Sequence, residues 1–364
     1  MKAVIVGAGV IGALIAWRLA CAGARVTLID AGLPAGAASG ASFGWINASF
    51  HADADHFRLR HAAMAAHRRA QADLGTDAIR WPGCLCWEVQ GAAQDAQLRS
   101  LLELGYDARQ IGRAEFARME PAVAQPPDQA LVFGGEGVVD LGHLTRDALA
   151  AAADRGARLI TGVAVTGLIE AQGAVRGVMM AQGRIAADRV VIAGGTGTTA
   201  LLDTVGVALP MLRRPGLLLR SRPVATKIRH VLVSPAQELR QDDAGRIIAP
   251  TAAAHQGDTA EQVTDSPDVL ADRAMARIRS LLGLPEPGWA EVTLALRPVP
   301  GDGLPVVGGC GPAGLFVSTM HSGATLAPLV AEISASEVMD RAPSNAQTAL
   351  IAPYRPARFQ SVSS

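Results

Sequence analysis

The sequence predicts an α/β fold in which a Rossmann-like dinucleotide-binding domain is interrupted by a second domain built on an antiparallel sheet. Residues 3–30 have the order strand, glycine turn, helix, strand, and a related α/β pattern returns at residues 134–198. Between residues 216 and 295, short apolar strands alternate with a single helical stretch. Strands separated by helices are typical of parallel sheets, whereas closely spaced strands are typical of antiparallel ones.

The composition limits the classes of function. The chain has 364 residues, which is enough for one large domain or two interleaved ones. Its 33 Lys and Arg balance 33 Asp and Glu, so charge favours neither nucleic acid nor an anionic membrane surface as a partner. The four cysteines are scattered, and the apolar N-terminal stretch is broken by glycines and too short to span a bilayer. We therefore expect a cytoplasmic protein without a membrane span.

Neither cysteine nor histidine predicts a metal site. Cys84 and Cys86 form a C-x-C, but no second pair completes a ligand set, and strand composition explains them. Of the neighbouring histidines His56, His61 and His67, none lies three or four residues from another, the spacing that would place two on one helix face. We expect no bound metal.

The first element is a dinucleotide-binding unit. We predict strands at Val4–Val6 and Val26–Ile29, with a helix at Val10–Cys21 between them. The turn before the helix has the pattern G-x-G-x-x-G, formed by Gly7, Gly9 and Gly12. The first glycine permits the tight turn, the second lets the backbone approach a pyrophosphate, and the third lets helix and strand pack closely.

Asp30 ends the second strand, at the position where a carboxylate accepts the ribose hydroxyls of an ADP moiety. The N-terminus of the preceding helix offers free N–H groups and a positive dipole end to phosphates. Together these features predict an ADP-containing dinucleotide. They do not separate FAD from NAD.

Residues 37–47 form a loop of small residues where an NAD-binding unit would usually continue into another helix and strand. Its hydroxyl and glycine residues are Ser39, Gly40, Ser42 and Gly44. Such a loop suits an extended FAD. Here the chain resembles the D-amino-acid oxidase and glycine oxidase (DAO) family of FAD-dependent oxidoreductases, in which a Ser/Gly loop follows the acidic strand and lies along the pyrophosphate and flavin.

The resemblance implies a Rossmann-like FAD-binding domain of the glutathione-reductase type, with an inserted antiparallel-sheet substrate domain. The FAD-binding domain is then discontinuous. We predict that it comprises residues 1–50, 134–215 and 296–364, and that residues 51–133 and 216–295 form the substrate domain.

The middle of the chain supplies elements of both predicted domains. Residues 57–74 have helical spacing with a basic face, and residues 91–120 contain further helix around LRSLLELG. A helix at Gly142–Asp154 leads to a strand at Arg158–Ile160 and three further short strands that end in RVVIAGG. The substrate segment carries the strands LLLR, HVLVS, RIIAP and EVTLAL and a helix at roughly 266–282. The resemblance implies contacts to the cofactor from Val165, on the adenine side, and from Ala193 and Gly195.

The C-terminal part carries the family signature in LRPVPGDGLPVVGG, and HSGATLAP then opens a helix with apolar residues at helical spacing. The resemblance implies that the N–H groups of the first turn face the N1–C2=O edge of the flavin, where negative charge collects on reduction. The residues concerned are Gly323, Ala324, Thr325 and Leu326.

Arg297 follows the apolar run VTLAL, where a strand should enter a core, and an unpaired buried guanidinium is costly. A carboxylate of the protein or of a ligand would compensate it, and the pattern leaves both open. The family has an arginine in this R-P position that pairs bidentately with the substrate carboxylate, which implies that role for Arg297. His321, just before the flavin helix, is a candidate pocket residue, with a packing role as the alternative. Only Tyr106 and Tyr354 occur, and neither lies in residues 216–295, so tyrosine contacts to the substrate are not expected there.

The resemblance implies FAD-dependent oxidation of an amino or imino acid, in which hydride passes from the α-carbon to flavin N5 and the imine hydrolyses to a keto acid. Such a transfer needs orientation more than a strong base. The alternatives are a sarcosine-type N-substituted glycine as substrate, a flavin subunit of a hetero-oligomeric dehydrogenase, and a flavin-binding protein without turnover. The electron acceptor is oxygen, a quinone or a partner subunit. No Cys or His attachment motif is recognisable, so we expect non-covalent FAD.

Overall fold

The computed structural model describes residues 1–253, 260–284 and 288–359. The predicted domain segments 216–295 and 296–364 also contain residues 254–259, 285–287 and 360–364, which lie outside the described residues. The helices are α1 (Val10–Cys21), α2 (Ala54–Leu74), α3 (Ala92–Glu103), α4 (Arg113–Met119), α5 (Leu141–Ala153), α6 (Thr198–Asp203), α7 (Pro267–Leu282), α8 (Gly323–Val338) and α9 (Asn345–Ile351).

The strands alternate with these helices and form four sheets within the described ranges. They are β1 (Lys2–Val6), β2 (Arg25–Ile29), β3 (Trp45–Ile46), β4 (Ile79–Arg80), β5 (Cys84–Cys86), β6 (Arg109–Gly112), β7 (Gln129–Phe133), β8 (Gly137–Val139), β9 (Arg158–Ile160), β10 (Val165–Ala171), β11 (Ala174–Met180), β12 (Gly183–Ala186), β13 (Arg189–Ile192), β14 (Met211–Pro223), β15 (Val231–Val233), β16 (Glu238–Gln241), β17 (Arg246–Pro250), β18 (Trp289–Pro300), β19 (Val306–Gly309) and β20 (Leu315–Thr319). The predicted helix region 91–120 also contains a strand, β6.

The first sheet has six strands in the order β19-β20-β13-β1-β2-β9, all parallel except the β19–β20 pair. Its central strand is buried on both faces. Ile5 joins a core with α1 and α5 on one side, whereas Val4 and Val6 pack against the small β10-β11-β12 sheet on the other. Burial on both faces explains the continuous apolar run of β1.

A helical layer covers one face of this sheet. The helix α1 packs against α5 and α8, and α2 packs against α8. Leu59 and Ala63 of α2 share a core with Leu326 and Leu329 of α8. Sequence patterns placed α2 in the substrate segment, but its packing partner belongs to the segment predicted to hold FAD.

The second large sheet has eight strands in the order β18-β14-β17-β16-β15-β5-β7-β6. Neighbouring strands are antiparallel except for the parallel pair β15–β5. Helix α7 packs on this sheet through a separate core that contains Met275, Ile278 and Leu219. The predicted antiparallel sheet is therefore present, with one parallel exception.

The long pair β14–β18 joins the two halves of the molecule. It is 13 residues against 12, and Arg214 lies opposite Arg297 in its register. The predicted domain boundaries at 215/216 and 295/296 fall inside these two strands. All strands of the parallel sheet lie in the segments predicted to bind FAD, and the division into domains remains a prediction. Among the described helices, each is too short or too polar to cross a bilayer.

Candidate cofactor and substrate site

A cleft with a cavity of about 340 Å³ lies at the carboxyl ends of β1, β2 and β13. This is where ligands bind in open parallel sheets, at the point where the strand order reverses. The cleft brings together much of the predicted cofactor set. The members of this set that line it are Gly7, Gly9, Asp30, Ser39, Ser42, Ala193, Gly195, Gly323 and Ala324.

The glycine turn is shaped by close approaches of backbone to backbone. Gly7 has φ +109°, and a Cβ there would lie 2.3 Å from the carbonyl oxygen of Ala193. A Cβ on Gly12 would lie 1.9 Å from the carbonyl oxygen of Gly7. Gly12 does not line the cleft; it lets the first turns of α1 pack under the glycine loop, as the motif predicts.

Asp30 organises the turn around the cleft. Its Oδ2 accepts a hydrogen bond from the Ala8 N–H at 2.6 Å, and its Oδ1 accepts one from the Gly32 N–H at 2.7 Å. Each carboxylate oxygen retains a second lone pair, so the same side chain can also accept ribose hydroxyls. Asp30 therefore has a structural role that the sequence motif does not indicate, and its ribose contact stays a prediction.

Asp30→Asn is expected to weaken FAD binding by roughly tenfold to a hundredfold. An amide has one acceptor oxygen for two backbone donors, and hydrogen bonds to charged groups contribute about 1.5–3 kcal/mol. FAD affinity of the apoprotein, followed by flavin fluorescence, measures the effect. Asp73→Asn is the matched control, because Asp73 is an exposed partner of Arg18. Equal FAD affinity in the two variants would contradict the assignment.

The Ser39–Gly44 loop is tied to the N-terminus of α1. Gly9 caps this helix without a side chain, and Ser39 Oγ accepts the Val10 N–H at 3.1 Å. Ser42 Oγ accepts the Gly44 N–H at 3.1 Å. The loop thus places hydroxyls beside a helix N-terminus, the arrangement that binds phosphate groups. Gly40 lies on the loop without lining the cleft.

A second cavity of about 130 Å³ adjoins the cleft where it meets the eight-stranded sheet. Both cavities are lined by Ser42, Pro298, His321 and Ala324, so they are contiguous. The second cavity is also lined by Gly44, Arg60, Arg297 and Thr325. The structure therefore brings the predicted substrate residues Arg297 and His321 to one end of the predicted cofactor cleft.

Arg297 is half-buried in the wall formed by β14 and β18. Its Nε donates to the carbonyl oxygen of Arg214 at 3.5 Å and its Nη2 to that of Pro215 at 3.3 Å. Both contacts are long for hydrogen bonds. The side chain is held against the neighbouring strand while it lines the cavity.

The first turn of α8 only partly matches the expected donor set. The N–H groups of Thr325 and Leu326 both donate to the Ser322 carbonyl at 3.0 Å, so these two expected donors are already used. Within the described residues, the N–H groups of Gly323 and Ala324 make no hydrogen bond, and both residues line the cleft. The correction arises because the helix begins with a tight turn that closes on Ser322.

Thr325 instead connects α8 to β3. Its Oγ1 donates to the Trp45 carbonyl at 3.2 Å and accepts the Asn47 N–H at 3.3 Å. Leu326 is fully buried in the core between α2 and α8. These two residues position the helix terminus, and their predicted direct contacts with flavin through N–H are not available.

Arg60 is a functional candidate that the sequence patterns did not single out. It is 5% exposed and lines the second cavity. Its Nη1 donates to Ser322 Oγ at 2.7 Å, its Nη2 to Asn47 Oδ1 at 2.6 Å and its Nε to the Asn47 carbonyl at 3.1 Å. Among the described residues no carboxylate lies within ion-pair distance of it. Burial lowers the pKa of Arg60 to about 10, so the side chain stays cationic at neutral pH.

The signal for Arg60 was present in the spacing of α2. Phe57, Arg60, Met64 and His67 follow one another by three or four residues and form the buried stripe of the helix. A cation inside an apolar stripe is unusual and indicates a specific role. Arg60 and His67 do not contribute to the predicted basic face, because both side chains are buried.

His67 supports the first turn of α8. Its Nε2 lies 2.9 Å from the Ala324 carbonyl and 3.0 Å from the Thr325 carbonyl, so this nitrogen carries the proton and donates. The side chain is fully buried, and burial lowers its pKa from 6.5 to about 4. The native protein therefore holds a neutral imidazole here.

We expect His67 to make the protein less stable in acid. Because its folded pKa is lowered, its stabilisation is fully present above the unfolded pKa of 6.5 and is lost as pH falls towards the folded value. At about 1.36 kcal/mol per pKa unit, the free-energy difference between wild type and His67→Gln should shrink by about 2–3 kcal/mol between pH 7 and pH 4.5. Urea unfolding at both pH values measures it.

The comparison between variants is needed because the stability contribution of another buried group changes with pH in the opposite direction. Burial raises the pKa of Glu136 to about 7, so its contribution falls as pH rises from its usual range through that value. The exposed His61 on the same helix provides the control variant His61→Gln. A difference between wild type and His67→Gln that is independent of pH would show that His67 is not held neutral.

Several other residues named from the sequence lie away from both cavities. Val165 lies in β10 opposite Met180 and does not line the cleft, so its adenine contact stays a prediction. The Tyr106 hydroxyl donates to the buried Glu136 at 2.8 Å, and Tyr354 is buried beside α8. Neither tyrosine lines either cavity. Within the described residues, no group of three or more His, Cys, Asp or Glu is arranged to hold a metal ion.

These features fit an extended dinucleotide better than a small ligand. The glycine turn would be blocked by side chains, a carboxylate ends the second strand, and two unbonded N–H groups lie at the far end of the cleft. The second cavity adds two guanidinium groups at that far end. The arrangement can hold a long phosphate-bearing cofactor and place a small anionic ligand next to its end.

Comparisons with known proteins agree with this geometry. A family model described as FAD dependent oxidoreductase, DAO, matches residues 2–337. The glycine oxidase of Pseudomonas aeruginosa is 25% identical over 374 residues, which cover 98% of each chain. The D-amino acid dehydrogenase of Paramagnetospirillum magneticum is 26% identical and covers 88% of this chain and 90% of its own. The crystal structure of glycine oxidase from Geobacillus kaustophilus has a TM-score of 0.85 at 23% identity, with 98% of this chain and 99% of that chain covered.

Proposed function

The chain belongs to the DAO family of FAD-dependent oxidoreductases, and on this premise we propose that it oxidises an amino or imino acid with non-covalently bound FAD. The observation that carries the proposal is the pair of guanidinium groups, Arg60 and Arg297, in the wall of the cavity beside the cofactor cleft. A substrate carboxylate is the ligand that such a wall favours. The names of the relatives, glycine oxidase and D-amino acid dehydrogenase, support the same substrate class.

The chain has residues for each part of the cofactor. Gly7, Gly9 and Asp30 would hold the ADP half, with Ser39 and Ser42 along the pyrophosphate. The N–H groups of Gly323 and Ala324 would take the other end, where Arg60 adds positive charge. Bound FAD supplies a hydride acceptor.

Substrate orientation is assigned to Arg297. A guanidinium presents a planar fork to a carboxylate, which fixes both the position and the rotation of the ligand. Leu217, Leu218 and Trp45 also line the cavity and would exclude water from it. His321 contributes to the walls of both cavities, and we propose that it orients the substrate amine. Orientation of a neutral amine requires no strong base.

The absence of an attachment site in the cavity walls supports non-covalent FAD. His321 is the one histidine and no cysteine is present among the described residues that line the two cavities. Precipitation with acid should therefore release all of the flavin. The four cysteines are free, and we propose a location in the cytoplasm, where thiols stay reduced.

Anaerobic mixing with a panel of amino and imino acids tests the function. Bleaching of the flavin absorbance by one or more of them, followed by recovery when oxygen or a quinone is admitted, is the expected result. Recovery with only one acceptor separates an oxidase from a dehydrogenase. Flavin that stays oxidised with every amino acid, imino acid and N-substituted glycine would contradict the proposal while leaving the FAD assignment intact.

A further inference from the structure

A third cavity of about 300 Å³, here called the arginine cavity, shares the Ser39–Ser42 loop with the cofactor cleft. Its walls come from that loop, from the end of β8 and from β14, β16 and β17 of the eight-stranded sheet. Four arginines line it, Arg80, Arg220, Arg240 and Arg246. None of these four lines either of the other two cavities.

Arg240 lies at the floor of the arginine cavity. It is 5% exposed, and burial lowers its pKa to about 10, so it remains cationic. Within the described residues its hydrogen bond is from Nε to the Phe43 carbonyl, and no carboxylate lies within ion-pair distance of its guanidinium. A buried cation without a counterion is destabilising, so an anion bound in the cavity would offset the cost of burying Arg240.

The carboxylates that also line this cavity are already engaged or exposed. Asp242 accepts Arg246 Nε at 2.8 Å, and Asp140 caps α5 by accepting the His143 N–H at 2.9 Å. The side chain of Asp243 is 77% exposed and pairs with Arg80 at 2.8 Å. Asp140 and Asp243 are therefore at the rim, whereas Asp242, with 15% of its side chain exposed, is paired with Arg246 and not with Arg240.

A fourth carboxylate, Asp77, is 90% exposed at its side chain and lies 3.5 Å from His143 Nε2. It too belongs to the rim. Arg220 also lines the cavity; its Nη1 pairs with Glu291 at 3.4 Å, and its Nη2 donates to the Gly40 carbonyl at 2.8 Å. Two arginines of this cavity, Arg220 and Arg240, thus hold the backbone of the loop that borders the cofactor cleft.

We propose that the arginine cavity binds an oxyanion, a carboxylate or a phosphate group, with Arg240 as its main ligand. The anion sits against guanidinium groups that also hold Gly40 and Phe43, so its binding favours the loop conformation that borders the cofactor cleft. Coupling of this kind is reciprocal: the anion slows FAD loss, and FAD raises the affinity for the anion.

The test uses the FAD-loaded protein and needs no turnover. Sodium phosphate and sodium acetate are titrated at constant ionic strength set with NaCl, and the melting temperature and the rate of FAD release are recorded. We expect a saturable rise in melting temperature and slower FAD release with at least one of the two anions. Arg240→Gln should weaken that anion by roughly 30-fold or more, as truncation of a buried charge partner does.

Matched variants keep the result interpretable. Arg80→Gln, at the rim, should weaken the anion by a few-fold and decides the matter if Arg240→Gln does not fold. Arg113→Gln removes an exposed arginine paired with Asp128 and should change nothing. Acetate is also measured in Arg297→Ala, since it can enter the substrate cavity; an effect that persists there and is lost in Arg240→Gln belongs to the arginine cavity.

The two anions separate the sources of the ligand. A response to phosphate alone assigns a phosphate-bearing ligand, and a response to acetate alone assigns a carboxylate. The proposal is overturned if neither anion exceeds the effect of NaCl, or if the response is the same in wild type and in both cavity variants. Substrate oxidation plays no part in these measurements, so their failure leaves the proposed enzymatic function untouched.

Discussion

Arg297→Ala is expected to lower kcat/KM for the best amino acid substrate by roughly tens to thousands-fold. Truncating one partner of a buried charge pair costs about 2–5 kcal/mol, which converts to that range of rates. FAD content should change little, because Arg297 lines the substrate end of the site and not the part of the cleft around Gly7 and Asp30. Steady-state kinetics together with flavin absorbance per protein measure both quantities.

Three comparisons assign the loss to the carboxylate. Arg297→Lys should recover only part of the activity, since an ammonium cannot reproduce the bidentate fork. The amide of a good substrate should be penalised much less by Arg297→Ala than the acid. Arg213→Ala, an exposed arginine on the neighbouring β14, is the matched control.

A purely structural role of Arg297 would give a different result. Arg297 donates to the carbonyls of Arg214 and Pro215, so its loss could loosen the β14–β18 pair. In that case Arg297→Ala would lose FAD and thermal stability and would treat acid and amide alike. Equal losses of kcat/KM for the acid and for its amide would show that Arg297 does not bind the substrate carboxylate.

The parts of the fold that the sequence predicts well are those set by short-range geometry. At Gly12 a side chain is excluded by the Gly7 carbonyl, five residues away in the chain, and at Gly7 the φ of +109° already disfavours any other residue. Such constraints leave a local pattern of glycines and apolar residues. The parallel sheet and α1 follow from that pattern at the predicted positions.

The parts that it misses depend on tertiary neighbours. The first turn of α8 was expected to present four free N–H groups, but Ser322 closes on Thr325 and Leu326 and leaves two. The packing of α2 against α8 likewise cannot be derived from the periodicity of α2, since an apolar stripe shows that a helix face is buried but not which element covers it. For the same reason the pattern of α2 does not single out Arg60, whose hydrogen-bond partner Asn47 lies on a different segment.

Arg60→Gln is expected to lower the two-electron reduction potential of the bound flavin by roughly 30–60 mV. Arg60 is a buried cation bonded to Ser322, directly before the N-terminus of α8. A guanidinium and a helix N-terminus that converge on one cavity stabilise the negative charge that a flavin gains on reduction. An interaction of about 1.5–3 kcal/mol corresponds to this shift, because 30 mV equals about 1.4 kcal/mol for a two-electron couple. Equilibrium reduction against a reference dye measures the potential.

The affinity for sulfite, an anion that adds to oxidised flavin, provides a second readout and should fall by roughly tenfold to a hundredfold on the same energetic grounds. Arg60→Lys keeps the charge but loses the two hydrogen bonds that the guanidinium donates to Asn47. Its flavin potential should therefore stay close to that of the wild type, while its melting temperature falls. Arg58→Gln, on the exposed side of the same helix, is the matched control.

Thermal stability alone cannot decide the role of Arg60. Asn47 and Ser322 each lose a donor in Arg60→Gln, so the melting temperature should fall whether the guanidinium acts on the flavin or only fastens α2 to its neighbours. The potential distinguishes the two roles, because a purely structural arginine has no preference between oxidised and reduced flavin. An Arg60→Gln protein with a lower melting temperature but an unchanged potential and unchanged sulfite affinity would restrict Arg60 to packing, and the positive end of α8 would then act on the flavin without it.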